Sequence, residues 1–242
     1  GGTAGGVAIA PADILHYNGA TYTWSMHFDA SDVGITKNVN AFYRQDRAAA
    51  PDIFYLTLVA AQTIPGLGAV APHDVIKFTP TSLGNNTAGS FELYFDGSDV
   101  GLTTTAERID TLGMAGSQLL ISIVGNGSVP RPGGALAFAD EDVVAFTPTT
   151  TGANTAGTWA AYFDGSTVGG LAAEDVNGFY DDPASGDLYI SLVNAFNLGG
   201  VTGDADDIVR LTPSGGSYTA SVVWNGDVTG HTVALDAFEL AP

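Results

Sequence analysis

Residues Gly89–Leu102 read GSFELYFDGSDVGL. The stretch returns as Thr158–Leu171 (TWAAYFDGSTVGGL), as Thr21–Ile35 (TYTWSMHFDASDVGI) and, more loosely, as Tyr218–Gly230 (YTASVVWNGDVTG). Phe91, Leu93 and Phe95 alternate with Glu92 and Tyr94, the period-two signature of a strand with one face on a core, and Asp96-Gly97 then breaks the pairing. The other copies keep the alternation through Trp159, Ala161 and Phe163, through Trp24, Met26 and Phe28, and through Ala220, Val222 and Trp224. Four copies of one strand-and-turn make this a repeat protein.

A second stretch recurs with it. Asp142–Pro148 (DVVAFTP) matches Asp74–Pro80 (DVIKFTP), Asp207–Pro213 (DIVRLTP) and Asp13–Tyr17 (DILHY), and the leading aspartates are spaced 61, 68 and 65 residues apart. Two more strands complete the unit. Glu174–Tyr180 (EDVNGFY) has counterparts at Lys37–Tyr43, Glu107–Gly113 and Val233–Glu239, and Asp187–Leu192 (DLYISL) has counterparts at Ile53–Leu58 and Leu119–Ile123. Short alternating strands, turns rich in Gly, Pro, Asn and Thr, and no helical periodicity indicate radial β repetition in four-stranded meanders.

The two ends are complementary. Val7–Ala10 can stand in for a second strand that leads straight into a third, and Val233–Leu240 reads as a first strand. The expected fold is therefore all-β: a four-bladed β-propeller of four-stranded antiparallel blades, closed by N- and C-terminal strands that share one blade. It forms a single domain over 1–242, with blade A at 1–35 plus 232–242, blade B at 37–102, blade C at 107–171 and blade D at 174–230. Such closure hides both exposed sheet edges. A sandwich or β-helix built from the same strands is the rival.

The arrangement resembles the small four-bladed propellers of hemopexin-like architecture. The repeat wording, FDGSDVGL…EDVDA…LYxS…DVxxFTP, is similar to a tandem-repeat family of secreted or surface bacterial proteins. The resemblance implies an extracellular or cell-surface setting and an ion held in the central channel; it implies no particular activity. Departures from the pattern cluster in blade A and in the last copy, where WNGDVTG replaces FDGSDVG.

Composition narrows the partners. Twenty-six acids against seven Lys and Arg give a formal charge of −19. Nucleic acid and anionic membrane surfaces call for basic patches, so neither is an expected partner. The chain has no cysteine, which excludes disulfides, thiolate metal sites and a cysteine nucleophile. No apolar run is long enough for a membrane-spanning helix, and the opening GGTAGG fits a processed, secreted chain.

The first strand of each blade should line the channel, which aligns Asn40, Asp110, Asn177 and Asp236 in one column. Two carboxylates and two carboxamides make an oxygen ring suited to Ca²⁺ or another hard cation. The competing reading is a hydrated tunnel in which these groups bond nearby backbone. Like-charged aspartates there would have raised pKa values unless a cation or proton lay between them.

A second acidic set, Asp29, Asp96, Asp164 and Asn225 with Asp32, Asp99 and Asp227, reads as turn-forming Asx residues. The leading aspartates read as anchors for the start of the third strand. Glu141, Asp206 and Asp204 form loop carboxylate pairs of the kind a polysaccharide-cleaving enzyme would use. The four histidines occupy unlike repeat positions, and no HExxH, G-x-S-x-G or phosphate loop is present.

Three long loops, Ala60–Pro72, Gly125–Asp140 and Val193–Asp206, should rise on one face around a low side at blade A, where the equivalent loop looks almost absent. That shape suggests a groove for a glycan or protein ligand. The expected function is a non-catalytic recognition or assembly module, probed against two alternatives: a subunit of a surface filament or layer, and a polysaccharide-cleaving enzyme using loop carboxylates.

Overall fold

The computed structural model describes residues 2–47, 51–231 and 233–240; of the ranges expected for blade A, residues 1, 232 and 241–242 lie outside it. The chain is all-β, built from four successive units. Unit A carries β1 (Gly2–Ala4), β2 (Val7–Ile9), β3 (Ile14–Asn18) and β4 (Thr23–Phe28). Unit B carries β5 (Val39–Gln45), β6 (Ile53–Leu58), β7 (Gln62–Ile64), β8 (Gly68–Val70), β9 (Val75–Ser82) and β10 (Ala88–Phe95). Unit C repeats this with β11 (Ile109–Ala115), β12 (Gln118–Ile123), β13 (Gly127–Arg131), β14 (Gly134–Phe138), β15 (Val143–Thr150) and β16 (Ala156–Phe163). Unit D has β17 (Val176–Asp181), β18 (Leu188–Leu192), β19 (Phe196–Leu198), β20 (Val201–Gly203), β21 (Ile208–Ser214) and β22 (Ser217–Trp224), followed by one helical turn, α1 (Gly226–Thr229).

Units B, C and D are each a four-stranded antiparallel meander, ordered β5-β6-β9-β10, β11-β12-β15-β16 and β17-β18-β21-β22. The second strands are the most buried, with Phe54–Leu58 and Leu119–Ile123 inaccessible, because they pair on both edges and are covered on both faces. The fourth strands are sheet edges and follow the alternation read from sequence: Phe95 is buried, Phe91 and Leu93 half-buried and Glu92 exposed. The proline of each FTP motif lies past the end of the second strand. Pro80 pairs only with Gly89, and the β6–β9 ladder stops at Phe54 opposite Phe78, so the missing N–H costs no bond.

The core lies between units rather than within them. Phe28 of unit A packs edge-on against Phe54 and Phe78 of unit B, with centroids 5.8 and 5.2 Å apart. Phe95 of unit B meets Phe146 and Trp159 of unit C at 5.1 and 6.1 Å, and those two rings are 4.8 Å apart. The same triad forms between units D and A. Trp224 stands 6.4 Å from Tyr17 and 6.3 Å from Trp24, and Tyr17 and Trp24 are 4.8 Å apart. There, however, all three rings are only half-buried.

Unit A departs from expectation in three ways. Val7–Ile9 is not a second strand; it pairs with Gly2–Ala4, Thr3 opposite Ala8, as a hairpin ahead of the third strand. The loop expected to be nearly absent in this unit is therefore present as that hairpin. Residues 233–240 form no ladder, and Leu235 N–H instead donates to Ala205 C=O at 3.0 Å. Unit A is accordingly a two-stranded sheet, β3–β4, rather than a four-stranded one. A strand pattern of seven residues reads identically whether or not a neighbour is there to pair with it.

The long loops are also more ordered than their Gly and Pro content suggested. Each is a two-stranded hairpin, β7–β8, β13–β14 and β19–β20, whose apolar residues Ile64, Val70, Val129, Leu136, Phe196 and Leu198 are buried. Each hairpin seats on the turn glycine of the preceding unit: Pro65 on Gly34, Pro130 on Gly101, Asn197 on Gly170. Those glycines have φ of +80°, +104° and +94° and no room for a β-carbon, so two independent constraints select glycine.

The interlocked B–C layer has a measurable consequence. Phe146→Ala should lower stability by about 3–5 kcal/mol, because the cavity opens against both Phe95 and Trp159. The urea midpoint should fall with an unchanged m-value.

Candidate functional site

The leading aspartates form a four-fold repeated bracket. One carboxylate oxygen accepts from the N–H three residues upstream: Ala10 to Asp13 (2.7 Å), Ala71 to Asp74 (2.7 Å), Ala139 to Asp142 (3.0 Å) and Asp204 to Asp207 (3.1 Å). The other accepts from the first residue after the Asx of the unit's own final turn: Ala30, Gly97, Gly165 and Gly226. Each aspartate thus ties the start of the third strand to the end of the fourth. Gly97, Gly165 and Gly226 press on the backbone of the residue before their bracket aspartate, which explains the Gly in FDG.

The turn acids are structural as well. Asp29, Asp96 and Asp164 accept from the N–H and hydroxyl of Ser31, Ser98 and Ser166, and Asn225 accepts from Val228 N–H. Asp32 and Asp99 reach into the next unit, accepting from Thr87 and Thr155 N–H at 2.8 Å. The hydroxyls of those threonines accept in turn from Asp29 and Asp96 N–H at 2.9 Å. Glu141 and Asp206 are buried at equivalent places in two different units, each against its own turn glycine.

Three of the four residues in the predicted column occupy a special backbone position, and Asp236, in a stretch without a ladder, does not share it. Val39 pairs with Leu58 and Ala41 with Thr57, leaving Asn40 as an extra, bulged residue; Asp110 and Asn177 are bulged in the same way. A bulge re-aims its side chain out of the pleat. The carboxamides use that freedom to couple units: Asn40 Nδ2 donates to Ile109 C=O at 2.7 Å, and Asn177 Nδ2 donates to Leu235 C=O. Asn177 Oδ1 accepts from Ser191 at 2.8 Å, and Thr111 Oγ1 donates to Val176 C=O at 2.9 Å.

Asp110 is 3% exposed, and neither of its carboxyl oxygens accepts from a donor among the described residues; the Asp175 carboxyl lies within hydrogen-bonding reach, where a shared proton would join the two. Burial, and then the charge of Asp175, push its pKa well above the carboxylate range. Burial, with Asp140 nearby, brings Asp175 up to about 7. Asp236 stands exposed on the wall of the groove described next. No group of three or more His, Cys, Asp or Glu suited to a metal occurs among the described residues. As ligands for a hard cation, the column offers the two buried oxygens of Asp110 and the carboxamide oxygens of Asn40 and Asn177.

Sequence reasoning missed a large concavity. A groove of about 820 Å³ runs between β3 and residues 233–240, lined by Leu15, Tyr17, Trp24, Trp224, Ala237 and Phe238 among others. Its floor is the half-buried D–A aromatic triad, and Trp24 Nε1 donates to Thr229 C=O at 3.2 Å as Trp159 Nε1 does to Val100 C=O at 3.1 Å. His231 stacks on Trp24 at 5.5 Å. Glu239 lies beside Arg44; burial raises its pKa to about 8 despite that positive charge. The only sequence signal for the groove was a missing copy of the DLYISL strand in unit A.

Comparison with known proteins found no matching family model, no matching curated protein and no matching solved structure.

Two predictions follow from these carboxyls. Removing the bracket in Asp74→Ala leaves two N–H groups without a charged acceptor, at a cost of about 3 kcal/mol, and Asp74→Asn should recover part of that in urea unfolding. Asp175 and Glu239 hold their protons more tightly folded than unfolded, where carboxyls titrate near about 4. Their stabilising contribution is full below that pH and is lost as pH rises through 7 and 8. The melting temperature should therefore fall between pH 5 and pH 9. Asp175→Asn and Glu239→Gln should each flatten the fall.

Proposed function

We propose that this chain is a non-catalytic recognition or assembly module working outside the cell or on its surface, built as a four-unit β-propeller closed through residues 233–240. The observation that carries the reading is the open, aromatic-floored groove at unit A, where the other three units are filled. Large, mostly apolar concavities with a few polar groups are where ligands bind.

Ring closure is supported by bonds of one kind repeated around the chain. The N–H that begins the column strand donates to the carbonyl two residues before the preceding unit's bracket aspartate: Ile109 to Pro72, Val176 to Asp140, Leu235 to Ala205. Residues 233–240 thus stand on unit D as β17 stands on unit C. The Trp24–Thr229 bond and the aromatic triad tie unit D to unit A in the manner of units B and C.

The reading includes Ca²⁺ or another hard cation at Asn40, Asp110, Asn177 and Asp236, supported by the buried oxygens of Asp110, which accept from no donor among the described residues. It places the binding surface for a glycan or protein ligand in the groove, because the hairpins expected to frame a ligand are seated on neighbouring turns. Self-association into a filament or layer would use the same exposed strand edge. The family resemblance of the repeat supports the surface setting. No helix among the described residues is long and apolar enough to cross a membrane.

Binding and turnover separate the readings. On glycan and protein arrays the chain should retain ligand without consuming it; product release abolished by Glu141→Gln would replace the module with an enzyme. A chelator should lower the melting temperature, since a cation bound only to the native state stabilises it by mass action. An unchanged melting curve withdraws the cation alone.

A further inference from the structure

We infer that the groove at unit A is an acceptor slot for a β-strand that residues 1–242 do not themselves supply, added antiparallel to β3 in the place that β6, β12 and β18 fill in the other units. The inference rests on the module reading and specifies its ligand.

Equivalence of position makes the case. In units B, C and D the second strand lies between the first and the third. In unit A the third strand, β3, pairs with β4 in the standard register, Ile14 opposite Phe28 and Leu15 opposite Met26, as Val75 is opposite Phe95 and Ile76 opposite Leu93. Its other edge has no ladder partner among the described residues. Residues 233–240 stand where the first strand belongs, held by the Leu235–Ala205 bond. The groove runs between the two. An unpaired strand edge beside an apolar wall is the feature that strand addition uses: backbone bonds give affinity, and pockets for alternate side chains give selectivity.

The three filled units state what fits. Their second strands read Phe54-Tyr55-Leu56-Thr57-Leu58, Leu119-Leu120-Ile121-Ser122-Ile123 and Leu188-Tyr189-Ile190-Ser191-Leu192. The first three residues pair with the third strand, Phe54 opposite Phe78, Tyr55 opposite Lys77, Leu56 opposite Ile76. Carried onto β3, a donated strand would set a large apolar residue opposite Tyr17, an aromatic or aliphatic one opposite His16 and an aliphatic one opposite Leu15. The fourth residue is Ser or Thr. In unit D its hydroxyl donates to the column residue, Ser191 to Asn177, and the column residue of unit A is Asp236, on the groove wall. The partner is thus an uncharged segment of the form large apolar, aromatic or aliphatic, aliphatic, Ser or Thr, aliphatic.

The test uses the intact chain and an end-capped synthetic peptide of sequence Leu188–Val193. Trp24 and Trp224, two of the three tryptophans, line the groove and report on it, and the dye 8-anilinonaphthalene-1-sulfonate serves as an apolar probe of the same space. The peptide should displace the dye saturably and protect the Leu15 and Tyr17 amides from hydrogen exchange. A peptide carrying Ile190→Pro should bind at least about tenfold more weakly, having lost an N–H that faces the third strand. Ser191→Ala in the peptide should also weaken it. Ala237→Arg in the chain, which fills the groove without touching the three complete sheets, should abolish binding while circular dichroism stays unchanged.

Dye that binds but is not displaced, or equal binding of the proline and scrambled peptides, overturns strand addition and leaves the groove as a ligand site. Dye that fails to bind removes the groove, and the module reading with it. A concentration-dependent dimer in sedimentation that Ala237→Arg dissolves would assign the slot to a second copy and overturn the donated strand.

Discussion

The aspartate at the head of each third strand is the constraint on which the rest is arranged. A carboxylate accepting two backbone N–H groups at once, one from its own lead-in turn and one from the turn after the fourth strand, fixes the two ends of a unit against each other. The same lead-in turn then presents a carbonyl to the following unit: Pro72 receives Ile109 N–H, Asp140 receives Val176 and Ala205 receives Leu235. A bond within a unit therefore sets the bond between units. The repetition of this device in all four units, even where the turn reads DA or NG instead of DG, indicates how little else can substitute for it. A buried backbone donor needs an acceptor of one particular reach.

Bulges supply the second kind of joint. At the column position the bulged Asn40 and Asn177 send their amides to carbonyls of the next unit. On the fourth strands the bulged His27 and Tyr94 present carbonyls that accept from Gly84 and Gly152 at 2.8 Å. Residues left out of their own ladders thus become the links between sheets, while aromatic rings from successive units fill the space enclosed. Asp110 is the exception. It shares the bulge but lacks an amide to donate, so its buried carboxyl faces only the Asp175 carboxyl and its proton is held tightly.

Much of this was legible in the chain. Asp-Gly and Asp-Ser turns, the alternation of Phe91, Leu93 and Phe95, and the recurrence of DVVAFTP each report a local backbone preference, and local preferences survive into the fold. The aligned column of Asn40, Asp110, Asn177 and Asp236 was also visible, but its chemistry was not. Whether a carboxamide points its oxygen at an ion or its nitrogen at a carbonyl depends on the neighbouring strand, which no window of sequence contains. The hairpins were misjudged for a related reason: their Gly and Pro residues signalled turns correctly, yet Val129 and Leu198 are buried only because a neighbouring turn lies beneath them.

By itself, then, the sequence determined the all-β class, the four-fold repeat, the residues at its turns and the shortage of cation-bearing side chains, because each follows from composition or from spacing along the chain. The tertiary structure alone decided that Val7–Ile9 turns back on Gly2–Ala4, that residues 233–240 lie along unit D without joining a ladder, and that β3 keeps one edge unpaired over an aromatic floor. Pairing is a relation between segments far apart in the chain. A strand pattern states that an edge can be paired and is silent on which partner, if any, arrives.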